Sequence, residues 1–118
     1  MTHGLEGPAK RLSAYVGEDM SYEEDKPLYQ ALIDTARTQG CAGATALRGM
    51  VGYGSSSRDV VKHGLRMSTD CPVLVTVIDE PQRVTALAAV WSAMIPAGLV
   101  TVEDIKVVHY SGESDSSE

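Results

Sequence analysis

The residues best suited to chemistry lie in the segment 49–58, which reads Gly-Met-Val-Gly-Tyr-Gly-Ser-Ser-Ser-Arg. Its glycines let the backbone turn sharply and come close to another group. The serine hydroxyls and the guanidinium that follow are donors that suit an anion. In an acidic chain this segment reverses the local charge, which indicates an anion-binding loop. A flexible hairpin loop without a ligand is equally compatible with the composition.

A basic cluster continues beyond the serines. Arg58, Lys62 and Arg66, with Arg48 nearby, form the only concentration of positive charge in the sequence. Arg58 stands next to the serines, where its guanidinium could hold a phosphate-like anion through paired donors. The alternative is a solvated, mobile loop whose charges serve solubility.

The composition limits the function classes that the chain can serve. With 118 residues and an apolar fraction of 43%, it is long enough for one domain with one core. A net charge of −6 argues against binding to nucleic acid or to an anionic membrane surface, because both would repel it. The N-terminus lacks the apolar run of a signal peptide, and no segment is long enough to insert into a membrane. We therefore expect a cytoplasmic protein.

The sequence shows no catalytic or metal-binding pattern, so we expect neither an enzyme nor a metal site. Cys41 and Cys71 are the only thiols. The predicted strand ladder separates them by about 25 Å, too far for a disulfide, so we expect both to be reduced. The histidines are scattered singly, and no nucleophile has a base beside it. The carboxylates of the acidic run 18–25 lack ligand spacing for Mg²⁺ and more simply favour the following helix dipole. Of these carboxylates, only Glu18 is kept as a candidate ligand-binding residue, because it closes the first predicted strand.

Apolar periodicity divides the chain into an N-terminal arm (residues 1–8), one domain (9–110) and an acidic tail (111–118) that we expect to be disordered. Within the domain, the pattern predicts strands at about 12–16, 44–51, 72–78 and 105–110. The segment 100–104 fits either the start of the last strand or a single turn. One helix starts at Lys26-Pro27, and a second follows Asp79, which fits a capping box with Gln82. Trp91 falls on the apolar stripe of this second helix and is expected in the core.

The order of elements, β-α-β-loop-β-α-β, predicts an α+β fold. Right-handed crossovers give a ferredoxin-like βαββαβ sandwich, in which a four-stranded antiparallel sheet carries two helices on one face. The strand 72–78 is almost continuously apolar, so both of its faces need cover. Since the elements offer no third layer, we expect an oligomer that covers the second face.

Several motifs resemble a known family. The segments that carry the likeness span residues 7–109 and read GPAKRL (7–12), YVGE (15–18), PLY (27–29), GATALRG (43–49), GYGSSSR (52–58) and LVTVEDI (99–105). They are similar to the PII-like proteins catalogued as domain of unknown function 190, which are related to the PII nitrogen-regulatory signalling proteins. The resemblance implies homotrimers of ferredoxin-like subunits that bind nucleotides in clefts between subunits and are not enzymes.

The resemblance also implies roles for individual residues. Gly52, Tyr53 and Gly54 are similar to the base of the PII T-loop, where the backbone meets nucleotide phosphates. Tyr53 would either stack on a base or pack against the root of the loop. Thr45 resembles a threonine near the adenine, and Gly98 is similar to a glycine of a second phosphate-binding loop.

Two departures from the PII pattern concern charge. Ser55 and Ser56 occupy positions where PII proteins carry an arginine and a glutamine, and no lysine follows Gly98 until Lys106. The lower positive charge implies AMP or ADP as the effector rather than ATP. The complete predicted ligand-binding set is Glu18, Thr45, Gly52, Tyr53, Gly54, Ser55, Ser56, Arg58 and Gly98.

The implied function is regulation. A PII-like protein would bind a small anionic effector, change its long T-loop at about 52–68 and control a partner protein, such as a membrane transporter or an enzyme. The alternative is a trimeric metal-handling or small-molecule-binding protein like the CutA-type cation tolerance proteins, which share the fold. The glycine-aromatic-glycine loop base favours the first function, and the lack of clustered cysteine or histidine in the sequence counts against the second.

Overall fold

The computed structural model describes residues 5–52 and 71–112 of the chain. In chain order its elements are β1 (Gly7–Gly17), β2 (Ser21–Glu23), β3 (Lys26–Pro27), α1 (Leu28–Thr38), β4 (Thr45–Arg48), β5 (Pro72–Asp79), α2 (Pro81–Met94) and β6 (Leu99–Val107). Neither helix within these two ranges has the length and apolar character that a membrane crossing requires. The strands β1, β4, β5 and β6 and the two helices follow the predicted βαββαβ order, to which β2 and β3 add a small hairpin.

One antiparallel sheet contains four strands in the order β4-β5-β1-β6. β1 lies at the centre, where it pairs with β5 from Lys10 to Gly17 and with β6 from Gly7 to Tyr15. β4 and β6 form the two edges. This is the ferredoxin-like topology, and the predicted α+β fold class is confirmed.

The core lies between the sheet and the two helices. Alternate side chains of the central strands point toward the helices and are buried, namely Leu12, Ala14 and Val16 from β1 and Val73, Val75 and Val77 from β5. The helices contribute Leu28, Leu32 and Ala36 from α1 and Val84, Leu87 and Trp91 from α2. As predicted, Trp91 is in the core. Its indole N–H donates to the carbonyl oxygen of Leu32 at 3.2 Å, which satisfies its polar atom and joins the two helices.

The side of the sheet away from the helices, here called the open face, presents its side chains in rows across the strands. The first row is apolar and consists of Leu47, Leu74, Tyr15 and Leu99. The second row consists of hydroxyl side chains and contains Thr45, Thr76, Ser13 and Thr101. In the third row Arg11 donates from Nε to Glu103 Oε1 at 2.7 Å. The apolar row is partly exposed, with Leu47 at 59% and Leu99 at 56%.

Strand limits differ from those that periodicity predicts. β6 runs from Leu99 to Val107, so the segment 100–104 is the start of the strand rather than a single turn, and it pairs residue by residue with β1. β4 ends at Arg48, immediately before a glycine-rich segment that weakens strand structure. β1 begins at Gly7, and Leu5 is buried, so residues 5–8 pack against the domain.

The capping box predicted for α2 is wrong. The N-cap of α2 is Glu80, which makes no side-chain capping hydrogen bond. The Asp79 carboxylate is completely buried and accepts a hydrogen bond from the backbone N–H of Ala42 at 2.8 Å. The Asp79 side chain therefore bonds to a distant part of the chain. The three-residue spacing between Asp79 and Gln82 does not reveal this contact.

Candidate functional site

The structure describes four residues of the predicted ligand-binding set, which are Glu18, Thr45, Gly52 and Gly98. The others, Tyr53, Gly54, Ser55, Ser56 and Arg58, lie outside the described ranges, as does nearly all of the predicted T-loop. The described residues define both roots of this loop and the surfaces around them.

Three of these four residues meet at one end of the sheet, here called the loop end. Because neighbouring strands are antiparallel, β1 and β4 finish at this end and β5 and β6 start there. Glu18 follows β1, Gly52 follows β4, and Gly98 precedes β6. Thr45 lies at the opposite end of β4, about 10 Å away at roughly 3.3 Å per residue.

Glu18 is bound to Arg48 across the loop end. Arg48 Nη2 lies 3.0 Å from Glu18 Oε1, and its Nε donates to the same oxygen at 3.1 Å. The hydrogen bond and the charge of Glu18 raise the pKa of the Arg48 guanidinium above its ordinary value. The backbone N–H of Glu18 also donates to the Cys71 carbonyl at 2.8 Å. Glu18 therefore ties together the end of β1 and the two roots of the loop.

Glycine is needed where the two roots meet. The N–H of Gly49 donates to the carbonyl of Pro72 at 2.6 Å. A Cβ atom on Gly49 would lie 2.8 Å from Pro72 Cγ, and one on Gly52 would lie 3.2 Å from the same atom. The first distance excludes a side chain unless the backbone moves, so the glycines allow the loop to leave the sheet as a narrow stem.

Gly98 occupies the turn between α2 and β6. Its φ of +155° lies in a region that favours glycine, and a Cβ atom there would lie only 2.7 Å from the Tyr15 carbonyl oxygen. The turn is thereby packed against the last residues of β1. This places the Gly98 backbone at the loop end, at the edge formed by β6.

Thr45 lies in a separate cleft of about 420 Å³, here called the 42–45 cleft. Residues 42–45 form one wall, and Thr76 and Ile78 of β5 form the base. The C-terminal segment closes another side with His109 and Tyr110. The backbone N–H of Tyr110 donates to Glu6 Oε2 at 3.0 Å, which holds this segment beside the start of β1.

The lining of the 42–45 cleft suits a flat, mostly apolar group with a polar edge. Ile78, the alanines and the Tyr110 ring offer apolar surface, whereas Thr45 and the backbone beside Gly43 offer hydrogen-bonding groups. Tyr110 and His109 were not predicted from the sequence. The only available signal was an aromatic residue at the end of the last strand, and nothing local connects it with Thr45.

Within residues 5–52 and 71–112, no group of three or more histidine, cysteine, aspartate or glutamate side chains is arranged to hold a metal ion. Cys41 and Cys71 are both half-buried, and neither takes part in a disulfide within the described residues. Burial, with a smaller contribution from the Asp79 charge, raises the pKa of the Cys41 thiol above its ordinary value.

Comparison with solved structures identifies the same fold in a PII-like protein. CPII, described as a nitrogen regulatory PII-like protein from Thiomonas intermedia K12, has been solved bound to ADP, AMP and bicarbonate. It matches with a TM-score of 0.58 and 20% sequence identity over 86% of this chain and 90% of its own. A second CPII structure, bound to ADP and bicarbonate, gives a TM-score of 0.56 at 21% identity over the same shares of the two chains.

Sequence comparison gives the family. Residues 9–107 match the model of domain of unknown function 190, described as an uncharacterized ACR. The UPF0166 protein of Aquifex aeolicus is 34% identical over 101 residues, which cover 85% of this chain and 93% of that protein. The UPF0166 protein MJ1524 of Methanocaldococcus jannaschii is 28% identical over 108 residues, covering 90% and 95%. This chain therefore belongs to the domain of unknown function 190 family, and its fold is that of the PII-like proteins.

Proposed function

We propose that this protein is a PII-like regulator that binds an adenine nucleotide and reports it to a partner protein through the loop at about 52–68. The observation that carries the proposal is the continuity of the 42–45 cleft with the root of that loop. One short strand, β4, joins Thr45 in the cleft to Arg48 and Gly49 at the loop end. The CPII structures support the proposal, because a protein of the same fold has been solved bound to ADP and AMP.

The base of the nucleotide lies in the 42–45 cleft, and its phosphates extend along β4 toward the glycines of the loop root. The apolar wall and the Tyr110 ring receive the base, and the Thr45 hydroxyl bonds to its polar edge. The phosphates meet the backbone of Gly52 and the sequence that follows, through Gly54, Ser55, Ser56 and Arg58. Since this set holds one cation, AMP or ADP fits better than ATP.

The ligand site is completed by a neighbouring copy in a homotrimer. In one subunit Gly98 lies at the loop end of the sheet, where β6 starts, whereas the 42–45 cleft lies toward the opposite end, where β4 starts and β6 finishes. A ring of subunits that covers the open faces also brings the Gly98 turn of one copy toward the cleft of the next. The protein acts in the cytoplasm, and its partner is a membrane transporter or an enzyme.

Titration calorimetry tests the nucleotide. AMP, ADP, ATP and cyclic AMP are each titrated at up to millimolar concentration, with and without bicarbonate. AMP or ADP is expected to bind most tightly, and Thr45→Val is expected to weaken that binding. Thr85→Val is the matched control, because the Thr85 hydroxyl donates to the Pro81 carbonyl of its own helix. No heat with any nucleotide, or binding that Thr45→Val leaves unchanged, contradicts the proposal.

Hydrogen exchange tests the loop as the moving element. Ordering a loop costs roughly 1–2 kcal/mol per residue in backbone entropy, so the amides of residues 55–68 should become protected only when ligand or partner is bound. Equal protection in the two states would show that the loop has a structural role. Heat with divalent cations but with none of the nucleotides would favour the CutA-like alternative.

A further inference from the structure

Asp79 at the end of β5 is a buried carboxylate that the proposed ligand contacts do not use. It is completely buried, and each of its oxygens accepts one backbone hydrogen bond. Oδ1 accepts from the Glu80 N–H at 2.7 Å, and Oδ2 accepts from the Ala42 N–H at 2.8 Å. Burying a charged group is costly unless it is paired and hydrogen-bonded. A side chain that served only the turn after β5 would not need to be buried and bonded in this way.

Arg83 supplies the compensating charge from the first turn of α2. Its Nε lies 3.4 Å from Asp79 Oδ1, and its Nη1 donates to the Gln39 carbonyl at 3.4 Å. Nε is itself buried and makes no hydrogen bond of good geometry among the described residues. The guanidinium thus balances the carboxylate mainly through its charge. Its Nη1 also bonds to the segment between α1 and β4, to which Asp79 is bonded as well.

The segment held in this way is the wall of the 42–45 cleft. Residues 42–44 precede β4 and have no strand partner of their own. The turn before them is fixed by the Cys41 N–H, which donates to the Ala36 carbonyl at 3.0 Å. Beyond Cys41, the bond from Ala42 to Asp79 ties the wall to β5, whose Ile78 and Thr76 form the base of the same cleft.

We propose that Asp79, balanced by Arg83, is a positioning residue that presets the wall of the 42–45 cleft for a nucleotide base without touching the ligand. The inference rests on the proposed function. It extends that function, because it assigns part of the affinity of the cleft for the nucleotide to the Asp79 carboxylate, which lies behind the wall. A preset wall removes the cost of ordering residues 42–44 when the ligand binds.

Asp79→Asn is the direct test, because asparagine has almost the same shape. It offers one acceptor in place of two, so one of the two backbone bonds is lost, and the charge of Arg83 is left unbalanced. Glu80→Gln is the matched control. It also removes one negative charge, but from the neighbouring residue, whose side chain is only half-buried. Arg83→Met is a second variant that keeps the aliphatic stem but loses the charge and the contact with Gln39.

Two measurements are made on each variant as the full chain, namely hydrogen exchange of the Ala42 amide without ligand and the dissociation constant for ADP. Asp79→Asn is expected to speed exchange at Ala42 and to weaken ADP binding about tenfold, which corresponds to the loss of one hydrogen bond. Arg83→Met should act in the same direction, and Glu80→Gln should change neither quantity. Amides in the centre of β5 report whether the core remains intact.

The two readouts separate this inference from the proposed function. If ADP binds to the unaltered protein but Asp79→Asn and Arg83→Met retain its full affinity, the positioning role is wrong. If no nucleotide binds to the unaltered protein, the proposed function fails, and Ala42 exchange alone decides whether Asp79 holds the wall. Exchange at the unaltered rate in both variants overturns the inference. Should Asp79→Asn fail to fold, the exchange and affinity of Arg83→Met decide the question.

Discussion

The carboxylates of Glu18 and Asp79 show how differently two acidic side chains serve this molecule. Glu18 is partly exposed and pairs with Arg48 at the loop end. Asp79 is buried at the opposite end of the sheet, where it accepts two backbone hydrogen bonds beside Arg83. Because both are committed to partners within the chain, neither is a free ligand for a cation. The sequence predicted Glu18 as a site residue, and the structure assigns its side chain to the loop root.

At the residue scale, Arg58 is the test of the anion site. Arg58→Ala is expected to weaken nucleotide binding by roughly 1.5–3 kcal/mol, the range for hydrogen bonds to charged groups, while leaving assembly unchanged. Calorimetry measures the affinity and light scattering the mass. Lys62→Ala is the control within the same basic cluster. An equal loss of affinity in both variants would indicate a general charge effect rather than a specific contact.

Cys41 provides a second test at this scale, through the pH dependence of its reactivity. Burial and the charge of Asp79 raise the pKa of the Cys41 thiol, so less thiolate is present at a given pH. In a Cys71→Ser background, alkylation by iodoacetamide should be slower in the folded protein than in urea. The midpoint of its pH profile should also move to higher pH. Coinciding profiles for the folded and unfolded chains would contradict this expectation.

At the scale of elements, the local pattern of apolar residues predicted the strands and helices whose apolar side chains are buried in the core. The apolar strand at 72–78 and the two helices were found where the pattern predicted them, and their buried apolar residues form the core. The start of β6 was left open between a strand and a turn, because several of its residues, such as Val102 and Lys106, are exposed and carry little pattern. Its limits come from pairing with β1, which is set by topology rather than by composition.

The loop root is the element whose stability can be tested separately. Glu18→Gln keeps an acceptor for Arg48 but removes the charge of the pair, so the contact between the roots should loosen. Exchange of the Gly49 amide, which bonds to Pro72, should become faster, whereas the amides of α1 should not change. The effect should diminish at high salt, where the ion pair of the unaltered protein is itself screened.

A matched variant separates the loop root from surface charge in general. Asp104→Asn breaks the comparable ion pair of Asp104 with Lys10, in which the Asp104 side chain is 85% exposed and which lies away from the loop root. It should leave exchange at Gly49 unchanged. Faster exchange at Gly49 in both variants would mean that the ion pair at the loop end has no special role.

At the scale of the whole molecule, the candidate site joins residues that are far apart in the sequence. Thr45 and Gly52 were predicted through resemblance, but Tyr110 lines the same cleft as Thr45 across 65 positions. Asp79 reaches Ala42 across 37 positions. Such contacts depend on which strands become neighbours, so patterns of adjacent residues cannot reveal them. Glycine and threonine motifs are visible in a sequence, whereas the long-range contacts that complete the cleft are not.

The open face supplies the test of assembly. Its apolar row contains Leu47 and Leu99, each more than half exposed in the single subunit. Burying one such side chain contributes about 1.5–3 kcal/mol, so the row favours association of copies into the proposed trimer. A lysine in this row would have to be buried with its charge on assembly, which is strongly unfavourable. Leu47→Lys combined with Leu99→Lys should therefore give a folded monomer.

Light scattering measures the mass, and circular dichroism checks the fold of the double variant. Val108→Lys is the control, because Val108 is 84% exposed and follows the end of β6. It should keep the mass of the unaltered protein. Since the proposed ligand site lies between copies, the monomer should also lose nucleotide binding although Thr45 and Arg58 remain in place. A monomer that binds ADP with full affinity would show that one subunit contains the entire site. If the double variant keeps the mass of the unaltered protein, the copies associate through another surface.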